Sequence, residues 1–95
     1  MTERPTDETA PDLAASLVDA AGRVTRWPRK ARDRDAVLRH LAAAFEPGRE
    51  YAEAEVNAML DARTLVGDHA LLRRELIVHG LLEREPDGSR YRRSA

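Results

Sequence analysis

The chain of 95 residues contains no cysteine. This absence excludes disulfide bonds, thiolate nucleophiles and cysteine-based zinc sites, and it fits the cytoplasmic location that we expect. Aromatic residues are scarce as well, at 4% of the chain. The core therefore has to be built mainly from leucine, valine and alanine, and we expect neither a large ligand cavity nor a buried catalytic cleft.

No apolar run approaches the roughly 20 residues that a membrane-spanning helix needs, and the acidic N-terminus is unlike a signal peptide. Glycine-rich phosphate loops, nucleophile triads and paired carboxylates are also missing. The histidines, His40, His69 and His79, fall on separate predicted elements, which argues against a zinc site. We expect a non-enzymatic domain that binds no cofactor and no metal and does not associate with a membrane.

The net charge of −1 conceals an uneven distribution. Residues 1–20 carry one basic and five acidic side chains (net −4), whereas residues 21–95 carry 15 basic and 12 acidic ones (net +3). Prolines, threonines and acids without an apolar period predict a disordered tail over residues 1–11. The remaining domain, residues 12–95, is mildly basic, which is compatible with a DNA-binding protein that keeps its basic residues on one face.

The first half of this domain is predicted to contain two helices and an intervening strand. An accessory helix over 12–21 is indicated by three apolar residues at helical spacing, Leu13, Leu17 and Val18. Residues 23–30 combine β-branched and aromatic residues before a proline, which favours a short edge strand. A helix over 31–45 follows, and its buried face is predicted to consist of Val37, Leu38, Leu41 and Phe45.

The second half contains clear start and stop signals. Tyr51 and Val56 are spaced as a hydrophobic staple around a helix start at Ala52, and Glu55 is spaced as the acidic half of a capping box. That helix is expected to run to about residue 62. Asp68 is a suitable N-cap for a helix over 69–79, which Gly80 would end.

Two extended segments, 81–85 and 90–93, then flank a turn at Pro86-Asp87-Gly88-Ser89, with Leu82 and Tyr91 predicted to face inward. The order helix, extended entry, helix, helix, hairpin predicts a single winged-helix domain of the α+β class, mostly helical, with residues 23–95 as the core motif. Its job would be to bind duplex DNA in transcriptional control.

In such a domain the helix 69–79 would enter the major groove and the hairpin 81–93 would act as the wing. The candidate base-reading residues on the helix are His69, Arg73, Arg74 and Ile77. The wing candidates are Arg84, Arg90, Arg92 and Arg93, and the candidates for flanking phosphates are Arg23, Arg26, Arg29 and Lys30. The alternative is that the helix arginines pair with the nearby acids Glu53, Glu55 and Glu75 and only solvate a helix face.

Residues from about 23 to 93 resemble the uncharacterised bacterial family named domain of unknown function 2087. The matching residues are Arg26-Trp27-Pro28, Phe45-Glu46-Pro47-Gly48, Tyr51, Glu53, Glu55-Val56-Asn57, Asp68-His69, Leu72-Arg73-Arg74-Glu75-Leu76, Asp87-Gly88-Ser89 and Tyr91. The sequence departs from the family pattern at Ala52, where a hydroxyl residue is common. The resemblance implies a regulatory role, because the family is met alone or fused to ArsR-type regulators.

A domain that accompanies a separate DNA-binding domain can instead be a protein-interaction or small-anion sensor module. In that alternative, an anion or a partner carboxylate would bind at Asp68, His69, Arg73, Arg74 and Asn57. The simpler interpretation is that Asp68 caps its helix and His69 covers the turn. We also expect a homodimer that pairs through the 12–21 helix, unless that helix covers the core of its own chain.

Overall fold

The computed structural model describes residues 15–94, and within them the chain forms a small α+β domain. The three α-helices are α1 (Ala31–Ala42), α2 (Glu53–Arg63) and α3 (His69–Val78). The three strands are β1 (Glu50–Tyr51), β2 (Leu82–Arg84) and β3 (Tyr91–Arg93). The predicted α+β class is confirmed. No helix in this part of the chain is long and apolar enough to cross a membrane.

The predicted accessory helix over residues 12–21 is wrong where the structure describes it. Ala15–Leu17 form a single 3-10 turn, and Val18 then makes an isolated antiparallel bridge to Val24. The carboxylate of Asp19 accepts two backbone N–H bonds at 2.9 Å, which favours a tight turn over another turn of helix. Residues 12–14 and the predicted acidic tail lie outside the described residues.

The predicted edge strand over residues 23–30 is also wrong, because only Val24 makes bridges. The N–H of Val24 donates to the carbonyl of Arg63 at 2.9 Å, and its own carbonyl accepts from the N–H of Leu65 at 2.7 Å. Pro28 is buried and has no N–H to donate to a ladder, so pairing does not continue along the segment. These two bonds still fasten the segment to the end of α2.

One apolar core joins the helices to the sheet, and the side chains predicted to face inward from α1 and from the hairpin are buried in it. Its buried members are Leu17, Val24, Val37, Leu38, Leu41, Ala42, Phe45, Tyr51, Val56, Leu60, Leu72, Leu76, Leu82 and Tyr91. Because Leu17 is only 2% exposed, it covers the core of its own chain. The prediction that Leu17 belongs to a dimer surface is therefore wrong.

The predicted start of α2 is confirmed. Ala52 is the N-cap, and its N–H donates to Oε1 of Glu55 at 3.0 Å, which forms the acidic half of a capping box. Tyr51 and Val56 are both buried, as a hydrophobic staple requires. Ala52 itself accepts no hydrogen bond through its side chain.

Both predicted ends of α3 are confirmed too. The N–H of Leu71 donates to Oδ1 of Asp68 at 3.0 Å, so Asp68 caps the helix. At the other end Gly80 adopts a left-handed φ of 74°, and its N–H donates to the carbonyl of Ile77 at 2.9 Å. The N–H of Leu81 donates to the carbonyl of Leu76 at 2.8 Å. This Schellman motif turns the chain directly into β2.

The sheet is antiparallel and has the strand order β1-β3-β2, so the last strand lies between the other two. Tyr91 of β3 is in register with Tyr51 on one side and with Arg84 on the other. The hairpin turn closes with a bond of 2.8 Å from the N–H of Gly88 to the carbonyl of Glu85, as the predicted type I turn requires. The hairpin of β2 and β3 thus follows α3 in the chain, and β3 joins it to β1.

Candidate nucleic-acid interface

The outer face of α3 carries an exposed stripe formed by Ala70, Arg74 and Val78. These residues follow one another at steps of four, so they share one side of the helix. Val78 is 69% exposed, which is unusual for a large apolar side chain in this domain. The side chain of Arg74 makes no ion pair or hydrogen bond within residues 15–94. We call these three residues the α3 stripe.

Arg73, the neighbouring arginine, is engaged inside the domain. Its side chain is only 19% exposed, and it donates to Oδ1 of Asn57 and lies 3.8 Å from Oε2 of Glu53. The hydroxyl of Tyr91 donates to Oε1 of Glu53 at 2.9 Å. Burial first, and then this hydrogen bond, raise the pKa of Tyr91. The alternative that a helix arginine pairs with Glu53 holds for Arg73, which joins α2, α3 and β3.

The set predicted as an anion or partner site is not brought together as one cluster. Asp68 is turned toward the N–H groups of its own helix. Nδ1 of His69 lies 3.0 Å from Oδ1 of Asp61, so this side chain is directed toward α2. Of the predicted set, only Arg73 and Asn57 are in contact. The simpler interpretation of Asp68 as a helix cap is confirmed.

Two hairpin arginines lie in a network of acids on the outer face of the sheet. Arg92 lies 3.3 Å from Glu83, 3.7 Å from Glu50 and 3.9 Å from Glu85, and Arg90 lies 3.8 Å from Glu50. Each acid is about half exposed, so each pair adds little stability by itself. The acids nevertheless offset the positive charge of Arg90 and Arg92, which were predicted to contact DNA.

The other hairpin arginines project toward the opposite face. Arg93 donates to the backbone carbonyl of Phe45 at 2.9 Å, so it holds β3 against the end of α1. The guanidinium of Arg84 lies 6.0 Å from the ring centroid of Tyr91 and pairs with no acid in the described residues. Arg84 is therefore the hairpin residue with a cationic group available next to α3.

A groove of about 410 Å³ separates α3 from the hairpin. Its lining combines two free arginines, Arg74 and Arg84, with the apolar side chains of Ile77 and Val78. Glu53 also lines the groove, but its charge is offset by Arg73. Ile77, a predicted base-reading residue, is half-buried and packs partly against the core. The groove is thus basic along its rim and apolar on its helical wall.

A second basic surface precedes α1. The side chains of Arg26, Arg29, Lys30 and Arg32 are exposed and pair with no acid in residues 15–94. Arg23 differs, because its Nε lies 2.8 Å from Oδ2 of Asp19. We call residues 26–32 the basic segment.

The helix α1, which the basic segment enters, contacts the C-terminal end of α3. Nδ1 of His79, the residue that ends α3, is 3.5 Å from Oδ1 of Asp35 in the second turn of α1. The hydrogen bond from Arg39 is the main cause that lowers the pKa of Asp35. The basic segment therefore follows Val24, which is bonded to the end of α2, and runs toward the early turns of α1, which meet the C-terminal end of α3.

Sequence reasoning missed the acids of the hairpin and the contribution of Arg32. The signal for the acids was the period of two in a strand, which puts Glu83 on the face opposite to Arg84. A register in which Glu83 faces Arg92 then gives a cross-strand ion pair. No local pattern in the sequence distinguishes Arg73 from Arg74, because the partners of Arg73 come from α2 and Arg74 has none in the described residues.

These features describe a small α+β domain with an exposed helix face and a flanking hairpin. The chain belongs to the family described as "Uncharacterized protein conserved in bacteria" (DUF2087), whose model matches residues 23–93. The resemblance drawn from the sequence is therefore confirmed. No curated protein and no solved structure is significantly similar to the chain.

Proposed function

We propose that this domain binds duplex DNA as a winged helix and acts in bacterial transcriptional control. α2 and α3 would be the helix-turn-helix, with α3 in the major groove and the hairpin as the wing. The element order and the strand order β1-β3-β2 support this proposal, because the last strand of the hairpin pairs with the short strand that precedes α2. The family match covers all of these elements.

The observation that carries the proposal is the exposed, unpaired side chain of Arg74. Its guanidinium is exposed at the middle of the α3 stripe and is not paired with any acid in the described chain. An unpaired arginine on a helix that fits the major groove can form two hydrogen bonds with the edge of a guanine. Arg90 and Arg92, by contrast, lie next to acids on the outer face of the sheet.

The backbone contacts would come from a smaller set of residues than the sequence predicted. A DNA strand passing between α3 and the hairpin would meet Arg84, and the basic segment would hold phosphates at the other side of α3. Arg90, Arg92 and Arg93 are used inside the domain, so we do not include them.

The test is fluorescence anisotropy with a duplex from the gene's own upstream region across a salt series. Arg74→Ala should cost about 1–3 kcal/mol of binding free energy. A double Arg29→Gln/Lys30→Gln variant should reduce the salt slope by about two, because it removes two phosphate contacts. Arg63→Gln is the matched control, since Arg63 is an exposed helical arginine whose side chain bonds only to the carbonyl of Met59.

Two results would contradict the proposal. One is the absence of binding at low salt, and the other is an equal loss for Arg74→Ala and Arg63→Gln. The second would mean that only net charge matters. The proposal includes binding of two copies to adjacent half-sites. Leu17 would not lie in the interface between those copies, because it is buried in the core of its own chain.

A second candidate function is a protein-interaction module without DNA contact. It is favoured by the apolar wall of the groove at Ile77 and Val78, beside the cations of Arg74 and Arg84. Such a groove suits a short acidic segment with an apolar anchor. Failure of the duplex titration, together with binding of an acidic peptide that Arg84→Gln abolishes, would favour this function.

A further inference from the structure

We infer that α3 recognises one guanine, read by Arg74, flanked on both sides by thymines whose methyl groups contact Ala70 and Val78. This inference rests on the proposed function, because it concerns the bases that the α3 stripe would meet. It adds a base preference, and it excludes Arg73 from base reading.

The first step is that only one of the two adjacent arginines can reach a base. Arg73 is four-fifths buried and is held by Asn57 and Glu53, whose own carboxylate is held by Tyr91. Moving Arg73 into a groove would break its contacts with Asn57 and Glu53 and leave the half-buried amide of Asn57 without this donor. Arg73 is therefore a positioning residue that fixes α3 against α2 and β3, while Arg74 has no competing partner in the described chain.

The second step is the chemistry of the other two residues of the stripe. Ala70 and Val78 offer only methyl groups to a groove, and Val78 exposes 69% of its surface in the free domain. The one apolar group on a base edge in the major groove is the C5 methyl of thymine. Contact with a thymine methyl would remove the exposed surface of Val78 from water, whereas in the free domain this side chain stays largely exposed.

The spacing follows from helix geometry. Residues four apart are separated by about 6 Å along the axis of a helix. Base pairs are stacked at about 3.4 Å. Each flanking contact should therefore fall one to two base pairs from the guanine, so that the whole recognised element spans roughly three to five base pairs.

The experiment is selection of binding sites from a pool of random duplexes, followed by anisotropy titrations on the selected sequence. Exchange of the guanine pair for an A·T pair should weaken binding of the wild type on the order of tenfold. Arg74→Ala should be insensitive to that exchange. Deoxyuridine in place of a flanking thymidine removes only the methyl group and should weaken binding about four-fold.

Val78→Gly provides the partner control, because it removes every methyl group of that side chain and should abolish the effect of deoxyuridine at one flank and leave the other flank unchanged. Circular dichroism of each variant checks the fold, and both substituted side chains are exposed. Tight, salt-dependent binding without a preferred guanine, or with two specified guanines, would overturn the inference while the DNA-binding proposal stands. Absence of duplex binding at low salt would overturn both.

Discussion

The missing half of the capping box at Ala52 gives a sharp test of how this domain is built. Ala52 has an extended backbone, with φ −74° and ψ 157°, which a threonine adopts readily. Glu55 already accepts the N–H of Ala52 at 3.0 Å. A hydroxyl at position 52 would accept the backbone N–H of Glu55 in return, so Ala52→Thr completes the pair.

The expected gain is about 1 kcal/mol in the free energy of unfolding, because one helix N–H group obtains an acceptor that the side chain of alanine does not supply. In a domain of this size the same gain corresponds to a rise in Tm of about 4–8 °C. Urea denaturation followed by circular dichroism should show a higher midpoint with an unchanged slope.

Ala54→Thr is the matched control, since Ala54 is exposed inside the first turn of α2 and has no capping role. That variant should be slightly less stable than the wild type, because threonine is a poorer helix former than alanine. Equal midpoints for Ala52→Thr and the wild type would refute the reasoning. A gain of the same size at position 54 would refute it as well.

Three further predictions concern the elements that support α3. Leu72→Ala should cost roughly 2–5 kcal/mol, because Leu72 is fully buried, and a urea titration that shows under 1 kcal/mol would contradict this packing. Gly80→Ala should cost about 1–2 kcal/mol through its left-handed φ of 74° alone, since a Cβ there meets no atom within 4 Å; Gly80→Asn should cost less, and equal losses would contradict a backbone cause. Burial and the bond to Glu53 raise the pKa of Tyr91 above 10.0, so its stabilising effect is complete below that pH and is lost as the pH rises through the raised pKa. Alkaline unfolding should therefore be flatter in Tyr91→Phe, and an unchanged alkaline profile would contradict this reading of the Tyr91 environment.

The helices of this domain could be predicted because their signals are local. Asp68 and Gly80 bound α3 through bonds to residues three positions away, and Tyr51, Glu55 and Val56 define the start of α2 by an equally local pattern. Such signals depend only on the chemistry of short segments.

The N-terminal segment could not be predicted, because its structure depends on distant partners. The apolar spacing around Leu17 fits a helix, but Leu17 enters the core through a single 3-10 turn. Val24 has the residue type of a strand, yet its backbone bonds go to residues at the end of α2, about 40 positions later. Local propensity therefore indicates the wrong element at both places.

The candidate site was predicted in outline and corrected in detail. The sequence predicts the helix α3, the arginine at position 74 on it, and the basic residues that precede α1. Whether a given arginine is free depends on acids from other elements, as with Arg73 and Glu53 or with Arg92 and Glu50. That pairing depends on tertiary structure. The sequence alone therefore does not show that Arg74 and Arg84 are unpaired while other predicted DNA-binding arginines are paired.

The most direct test of the central claim is an NMR titration of the isotope-labelled protein with the upstream duplex. If α3 lies in the major groove, the backbone amides of the α3 stripe, Arg84 and the basic segment should shift together as duplex is added. The amides around Arg90 and Arg92 should remain nearly unchanged, because those side chains stay paired with acids. Shifts confined to Arg90 and Arg92, or no shifts at low salt, would contradict the assignment of α3 as the DNA-binding surface.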